Sequence, residues 1–307
     1  HVVIQNPDSV WLAGNTTTAN LTLMSGAKMN ALTFTMTATV RFYLLGTATY
    51  YQGGSVTVVP GIQQVLAPNS NYHFNGTQAG TGTGAYPEFG NLYWEPTPAT
   101  AGTFQNSTIA APYNSGLVIR GNMTINIQGG TAREVRFATG ATTSRTHTID
   151  GNLNIISASS TLVAQNGSNT VTSIVNIGGN INISAGIFQG TSSTAATNGN
   201  AVVNLSGSIF NTGGTIQTGA STAGLFNLNF VGTAPQSINN ASGTYSFTAN
   251  QNITINNSSA AGVTLNTPIS LPGNLTLTLG NLNTTSVNLL TLGAASAVSG
   301  ASNASYV

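Results

Sequence analysis

The stretch "SIVNIGGNINISAGIF", residues Ser173 to Phe188, divides by the parity of its positions. The even positions from 176 to 186 hold only asparagine, glycine and serine. An apolar period of two is typical of β-strands, whose successive side chains point to opposite faces. We therefore predict strands that expose the even positions and bury the odd ones. The odd positions hold Val175, Ile177, Gly179, Ile181, Ile183, Ala185 and Ile187.

Short units of this kind recur along the chain, each with a glycine beside a strand-like segment. These glycines are separated by 30, 28, 28, 25 and 41 residues, and the last interval leaves room for a further unit around "NQNITI", Asn250 to Ile255. Fixed-period similarity is the signature of stacked repeat architectures. The glycines are Gly121, Gly151, Gly179, Gly207, Gly232 and Gly273. Two sets at 28-residue spacing are predicted to stack, Ile149, Ile177 and Leu205 in one and Asn126, Asn154 and Asn182 in the other.

This repeat predicts an all-β fold, a right-handed parallel β-helix (β-solenoid) with coils of about 20–30 residues. Gly, Asn, Ser and Thr are poor helix formers, so a helical repeat is disfavoured. An antiparallel β-sandwich is the structural alternative, because alternation and frequent turn residues suit it as well. The 28-residue register favours the solenoid, in which each strand pairs with its counterpart in the next coil.

The composition fits such a stack. Only 4% of the 307 residues are Asp, Glu, Lys or Arg, against about 25% in an average soluble protein. Asn (37), Thr (46), Ser (29) and Gly (36) together make up 148 positions. In stacked coils each outward side chain lies about 4.8 Å from its counterpart, so a repeated charge would become a column of like charges. Asparagine avoids this repulsion, since its amide both donates and accepts along the stack.

The charge distribution also limits function. Asp150 is the last charged residue, and 151–307 contains no Asp, Glu, Lys, Arg or His, so that half has no ordinary acid–base group. The net charge of +1 predicts no nucleic-acid partner, and no apolar run reaches the ~18 residues of a membrane span. The absence of cysteine and of a "GGxGxD" calcium motif gives no metal or cofactor site. We therefore predict no catalytic residues and no enzyme activity.

A polysaccharide-cleaving β-helix enzyme is an alternative that would need clustered carboxylates. Glu88 and Glu95 stand close enough in sequence to approach each other in one loop. The basic residues Arg120 and Arg145, with "REVR" at 133–136, stand at spacings that would cluster them on neighbouring coils. We interpret these charges as exposed ion pairs.

Residues 1–116 are predicted to form an irregular, aromatic-rich part of the solenoid with a Pro-rich loop, and 117–307 the regular uncharged coils. The first part holds 14 of the 22 aromatic residues, and five of the ten prolines lie between 68 and 112. Its segment 72–95 also contains His73, Phe74 and the two glutamates. Its aromatic residues suit either a glycan-binding platform or core packing. The predicted ligand-binding residues are Tyr72, Tyr86, Phe89, Tyr93 and Trp94.

The segment "FVGTAPQSINNASGTYSF" at 230–247, continued by "NITINNSSAAGVTLNTPISLPGNLTLTLGNLN" at 252–283, resembles the low-charge repeats of very large secreted surface proteins of Bacteroidota. The resemblance covers 225–307 best and weakens towards the N-terminus. It implies a β-solenoid segment of an adhesin-like cargo of type IX secretion, located at the cell surface. It also implies that the chain is a piece of a longer protein, whose export signal is a separate C-terminal domain.

The same resemblance implies partners and a modification site. Glycans or surfaces, and neighbouring repeats of the same chain or filament, are the implied partners. Bacteroidota attach O-glycans to Ser or Thr after Asp and before an apolar residue, which makes Ser9 in "DSV" a possible site. A different function, ice binding, would use regular Thr ranks on a flat face, and one local rank is present at Thr33, Thr35, Thr37 and Thr39.

Overall fold

The computed structural model describes residues 1–32, 34, 36–53, 56–58, 63–75, 88–95, 104–105, 116–129, 133–137, 144–165, 171–192, 199–219, 224–303 and 305–307. These residues form short strands joined by turns, and no helix occurs among them. Within this part of the chain there is accordingly no helix of the length and apolarity needed to cross a membrane. The predicted all-β class is confirmed.

The strands are numbered in chain order, and most contain two to six residues. They are β1 (Val2–Ile4), β2 (Ser9–Trp11), β3 (Thr16–Leu23), β4 (Lys28–Asn30), β5 (Met36–Leu44), β6 (Thr49–Gln52), β7 (Val56–Val58), β8 (Gln63–Leu66), β9 (Asn71–Phe74), β10 (Asn91–Trp94), β11 (Phe104–Gln105), β12 (Val118–Ile119), β13 (Met123–Ile125), β14 (Arg133–Arg136), β15 (Arg145–Ile149), β16 (Leu153–Ile155), β17 (Ser160–Gln165), β18 (Thr172–Ile177), β19 (Ile181–Ile183), β20 (Ile187–Thr191), β21 (Asn200–Leu205), β22 (Ile209–Asn211), β23 (Thr215–Gln217), β24 (Phe226–Phe230), β25 (Gln236–Asn240), β26 (Thr244–Ser246), β27 (Gln251–Asn256), β28 (Val263–Leu265), β29 (Ile269–Leu271), β30 (Leu275–Leu279), β31 (Leu282–Asn283), β32 (Leu290–Leu292) and β33 (Val298–Ser299).

All pairings between these strands are parallel, and each joins a strand to its counterpart in the next coil. This is the predicted β-solenoid, while the hand of its coil stays a prediction. The long sheet has twelve strands, β2-β4-β6-β9-β10-β13-β16-β19-β22-β25-β28-β31, and continues across the predicted boundary at 116. Beside it lie an eight-stranded sheet, β12-β15-β18-β21-β24-β27-β30-β33, and a six-stranded sheet, β11-β14-β17-β20-β23-β26. An N-terminal five-stranded sheet (β1, β3, β5, β7, β8) and the pair β29-β32 complete the set.

One coil shows how the sheets enclose the core. The chain runs through β15 in the eight-stranded sheet, turns at Asp150 to Asn152, and continues through β16 in the long sheet. It then passes through β17 in the six-stranded sheet and returns as β18, the next strand of the eight-stranded sheet. Inward side chains of all three strands meet in one continuous apolar core.

The predicted parity holds through most of the stretch at 173–188. Val175, Ile177, Ile181 and Ile183 are buried, and the asparagines between them are only partly covered. The phase changes after Ile183, because the turn that precedes β20 contains Gly186 with φ of 79°. Phe188 is fully buried and Ile187 is partly exposed, so the prediction that Ile187 faces the core was wrong.

The glycines beside the long sheet stack on one another. The backbone N–H of Gly151 donates to the carbonyl of Gly121 at 2.9 Å, and the same bond joins Gly179 to Gly151 and Gly207 to Gly179. This column also includes Gly90, which the interval analysis did not select. A Cβ on Gly151 would lie 2.6 Å from the carbonyl oxygen of Gly121, so the close stacking requires glycine.

Gly232 and Gly273, which the sequence places in the same recurrence, do not belong to this column. In the coil after Gly207 the corresponding place is taken by Gln236, whose side-chain amide donates to the Gly207 carbonyl at 2.5 Å. Gly232 lies before this position and donates its N–H to the Gln236 side chain. Gly273 lies before β30 in the eight-stranded sheet, against the backbone of Gln251. The further unit predicted around "NQNITI" is confirmed, because this segment forms strand β27.

The predicted asparagine ladders are present, except that Thr124 takes the place predicted for Asn126. Asn182 donates its amide N–H to Asn154 Oδ1 at 2.8 Å, as the 28-residue spacing predicted. One coil earlier, Asn154 donates to Thr124, because that coil is 30 residues long and Asn126 is out of register. A second ladder joins Asn229 to Asn204 and Asn204 to Asn176 at 2.9 and 2.8 Å. The stack of Ile149, Ile177 and Leu205 is confirmed.

Candidate ligand-binding surface

The aromatic residues of the N-terminal coils lie on three consecutive strands of the long sheet, β6, β9 and β10. Their sequences, "TYYQ", "NYHF" and "NLYW", align in register at coil lengths of 22 and 20 residues. The second residue of each strand, Tyr50, Tyr72 or Leu92, is buried in the core. Strand alternation therefore directs the third residue of each strand outward.

The outward residues form a stacked column of rings, here called the aromatic column: Tyr51, His73 and Tyr93. The Tyr51 and His73 ring centroids are 4.4 Å apart with an interplanar angle of 27°. The His73 and Tyr93 rings are stacked and nearly parallel, with centroids 4.1 Å apart and an interplanar angle of 3°. The stack covers both faces of the His73 ring, so the column presents mainly ring edges and the two phenol groups to the outside. All three residues are partly exposed.

A carboxylate lies beside the aromatic column. Glu95 follows β10, and its Oε2 accepts a hydrogen bond from His73 Nδ1 at 3.0 Å. Burial, then the charge of Glu95 and the neighbouring Tyr51, raises the pKa of Tyr93 above its usual range, so this phenol remains protonated at neutral pH. The column thus combines phenol donors, a carboxylate acceptor and apolar ring edges. Polyhydroxylated ligands such as sugars are bound by hydrogen-bonding groups and aromatic surface of this kind.

The structure separates the predicted ligand-binding residues into two groups. Tyr72, Phe89 and Trp94 lie in the core, with 1, 4 and 5% of their surface exposed, and cannot touch a ligand unless the core opens. Their burial follows the core-packing alternative. Tyr93 lies outside in the aromatic column, and Tyr86 lies outside the described residues. Ligand binding therefore stays a prediction. Among the described residues that were predicted to bind a ligand, Tyr93 is the one that lies outside the core.

Sequence analysis left out Tyr51, although the signal for it is present. Tyr51 stands 22 residues before His73, which in turn stands 20 before Tyr93, and those intervals are the lengths of the two coils. The glycine recurrence that marks the coils starts only at Gly121, with intervals near 28 residues, and the N-terminal coils of 22 and 20 residues do not follow it. Aligning the three tetrapeptides would have placed Tyr51 in the column.

The other sequence-predicted positions can be placed more briefly. Ser9 lies in β2 and is exposed, which leaves its hydroxyl accessible for modification. Thr33 and Thr35 lie outside the described residues. Thr37 belongs to β5 and pairs with Thr17 in the preceding coil.

The predicted ion pairs account for most of the charged residues discussed above. Arg120 contacts Glu88 at 2.7 Å and Asp150 at 3.3 Å, and its hydrogen bond lowers the pKa of Glu88. Arg136 Nε donates to Glu134 Oε2 at 2.7 Å. Glu88 and Glu95 therefore have different partners. Arg145 belongs to none of the ion pairs that the structure describes.

In the described part of the chain, no group of three or more His, Cys, Asp or Glu side chains is placed to hold a metal ion. No protein-family model, curated protein or solved structure matches the sequence or the fold of this chain. The repeat architecture is shown by the parallel pairing of strands between successive coils.

Proposed function

We propose that this chain is a non-catalytic structural or adhesive segment of an extracellular bacterial cell-surface protein or filament. The observation that carries the proposal is the long sheet of twelve parallel strands. Eleven strand spacings of about 4.8 Å give a continuous stack of about 53 Å. Such a stack is a rigid spacer, which keeps a segment attached at one end at a fixed distance from a segment attached at the other end.

The nature of the outer surface supports the same proposal. Ladder hydrogen bonds between neutral amides, such as Asn182 to Asn154 and Asn204 to Asn176, join each coil to the next. Bonds between uncharged groups are little affected by the salt and pH changes that an exposed protein meets. The resemblance of 225–307 to Bacteroidota surface-protein repeats supports a place among cargoes of type IX secretion.

For the adhesive role we propose the aromatic column with Glu95 as the contact surface for glycans. The test is a glycan array, followed by adhesion of protein-coated beads to the glycans that score. Tyr93→Ala should abolish binding, because it removes one phenol and uncovers His73. Phe210→Ala is the matched control, since Phe210 is an outward aromatic residue of the long sheet, 39% exposed and far along the stack.

Three outcomes separate the candidate functions. Binding that Tyr93→Ala removes and Phe210→Ala leaves intact supports adhesion through the column. Absence of any binding by the parent protein refutes the adhesive role and leaves a passive stalk. Thermal hysteresis of a solution of the protein would refute the proposal in favour of ice binding. Release of reducing ends from polysaccharides would refute it in favour of a β-helix enzyme.

A further inference from the structure

One corner of the solenoid, between the six-stranded and the eight-stranded sheet, contains an unusual group of polar atoms. Five buried side-chain nitrogen or oxygen atoms at this corner have no hydrogen-bond partner among the described residues. They belong to four residues of two adjacent coils: Arg145 (Nε and Nη1), His147 (Nε2), Gln165 (Oε1) and Ser173 (Oγ). Buried polar groups are nearly always paired, so such a concentration calls for a specific partner.

Register and parity bring these residues together. Arg145, His147 and Ile149 alternate on the inward side of β15, where His147 and Ile149 are 1% exposed. Ser173 is the direct neighbour of Arg145 on the next strand, β18, and is fully buried. Gln165 reaches the same corner, because its Nε2 donates to the carbonyl of Val171 at 3.2 Å, two residues before Ser173.

The hydrogen bonds of His147 define which of its nitrogens can donate. Its Nδ1 accepts the backbone N–H of Leu117 at 3.1 Å, so the ring proton resides on Nε2. Burial and the charge of Arg145 lower the pKa of His147 to about 3, which keeps the ring neutral. The corner therefore contains one full positive charge and unused donors on Arg145, His147 and Ser173. Gln165 Oε1 can only accept, and the Ser173 hydroxyl can donate or accept, so donors outnumber acceptors in this group.

The same corner is satisfied in later coils. Gln217 Nε2 donates to Gln189 Oε1 at 2.7 Å, and Gln189 Nε2 donates to the carbonyl of Thr191. Thr218 Oγ1 donates to Gln251 Oε1 at 3.3 Å. Neutral amides and hydroxyls thus pair with one another where no charge is present. The coils that contain Arg145 and Ser173 differ from them by an excess of donors and a partly buried cation.

The chain has no carboxylate to spare for Arg145. It contains five acidic residues, of which Glu88 and Asp150 contact Arg120, Glu134 contacts Arg136, and Glu95 contacts His73. The fifth, Asp8, immediately precedes β2, six strands of the long sheet away from the coil of Arg145. Six spacings correspond to about 29 Å, far beyond contact. The Arg145 side chain is partly exposed, but its Nε and Nη1 are buried without a partner. Burial of unpaired donors on a charged group is unfavourable.

We propose that this corner is an anion-binding site, in which the Arg145 guanidinium, the Ser173 hydroxyl and His147 Nε2–H hold one small anion such as chloride or a carboxylate. Guanidinium is suited to this role because its planar fork of donors matches compact anions. The bound anion supplies the charge that the sequence lacks and completes the hydrogen bonds of these two coils. Such a site would make the stability of the solenoid depend on a solute at a single position.

The test measures unfolding of the full chain in urea, which carries no charge, at pH 7. Sodium chloride, acetate or phosphate is titrated while a bulky sulfonate buffer salt keeps the ionic strength constant. The parent protein should show a urea midpoint that starts to rise near Kd and then increases with the logarithm of the anion concentration. The folded-to-unfolded ratio should increase about 100-fold at an anion concentration one hundred times Kd. The rank order of the three anions distinguishes a halide site from a carboxylate or phosphate site.

Variants locate the effect. Arg145→Gln should remove the anion dependence, and Arg41→Gln, which removes an exposed arginine of β5, should keep it. Ser173→Asp places a carboxylate on the strand neighbour of Arg145. This variant should fold, and its urea midpoint should not depend on the anion. It is the deciding variant if Arg145→Gln does not fold. A urea midpoint of the parent protein that does not respond to any of the three anions, or an equal response in Ser173→Asp, overturns the proposal.

Discussion

His147 should make the whole chain less stable in mild acid. Its ring is 1% exposed, lies 5.0 Å from the Phe137 ring, and accepts a hydrogen bond through Nδ1. Burial, followed by the charge of Arg145, lowers the pKa of His147 from 6.5 to about 3. The unfolded chain therefore binds a proton at higher pH than the folded chain, and acid favours unfolding.

The magnitude follows from the two pKa values. Stability is unaffected above pH 6.5, falls by about 1.4 kcal/mol per pH unit below it, and levels off below the folded pKa. Between pH 7 and pH 5 the loss is about 2 kcal/mol. At pH 5 this figure hardly depends on the folded value, as long as the folded pKa lies below about 4.

The assay is urea unfolding at pH 7 and pH 5, with the buffer anion held constant and far-ultraviolet circular dichroism as the signal. His147→Asn keeps a hydrogen-bond acceptor near Leu117 and does not titrate, and His147→Gln serves if the first variant is too unstable. Contributions of His1 and His73 are common to all three proteins and cancel in the difference. Equal pH slopes for the parent and the asparagine variant would falsify the reasoning, because they would mean that His147 is protonated in the fold or already solvated.

Three further predictions concern the stack itself. Ile181→Asp should prevent soluble folding, because it places a carboxylate in a fully buried column, whereas Asn180→Asp keeps an acceptor oxygen and should remain folded; soluble yield and circular dichroism compare them. Trp94→Ala should cost about 3–5 kcal/mol in urea unfolding, the usual range for a buried aromatic side chain, and a loss below 1 kcal/mol would contradict its core position. Gly151→Ala should cost about 1–3 kcal/mol, because its Cβ would meet backbone of the preceding coil, while Gly14→Ala, with open space around it, should be nearly neutral in the same measurement.

The architecture was predictable because two periods are visible in the sequence. Alternation of apolar and amide residues at 173–183 marks strands with one buried face, and the 28-residue recurrence of Ile149, Ile177 and Leu205 marks the coil. Neither period reports where a turn adds or removes a residue. For this reason Ile187 was assigned to the core in place of Phe188.

The candidate site was less predictable, because it depends on coils of other lengths. Parity alone directs Trp94 inward and Tyr93 outward once Leu92 is known to be buried, but the sequence leaves open which parity applies. Arg145 was interpreted as an exposed residue on account of its charge. Counting back from Ile149 by twos places it on the inward side instead, and the local alternation outweighs the general preference of arginine for water.

The recurrence of asparagine at equivalent outward positions of successive coils affects how the chain reaches its fold. A strand such as β19 fits the asparagine rows of several neighbours almost equally well, so pairing with the wrong coil is a low-energy error. Singular residues remove this degeneracy, since the rings of Tyr51, His73 and Tyr93 and the side chain of Phe210 each match one level of the stack. These irregular positions specify which coil pairs with which. Replacing them all by asparagine should therefore produce a chain that folds into a mixture of misaligned stacks.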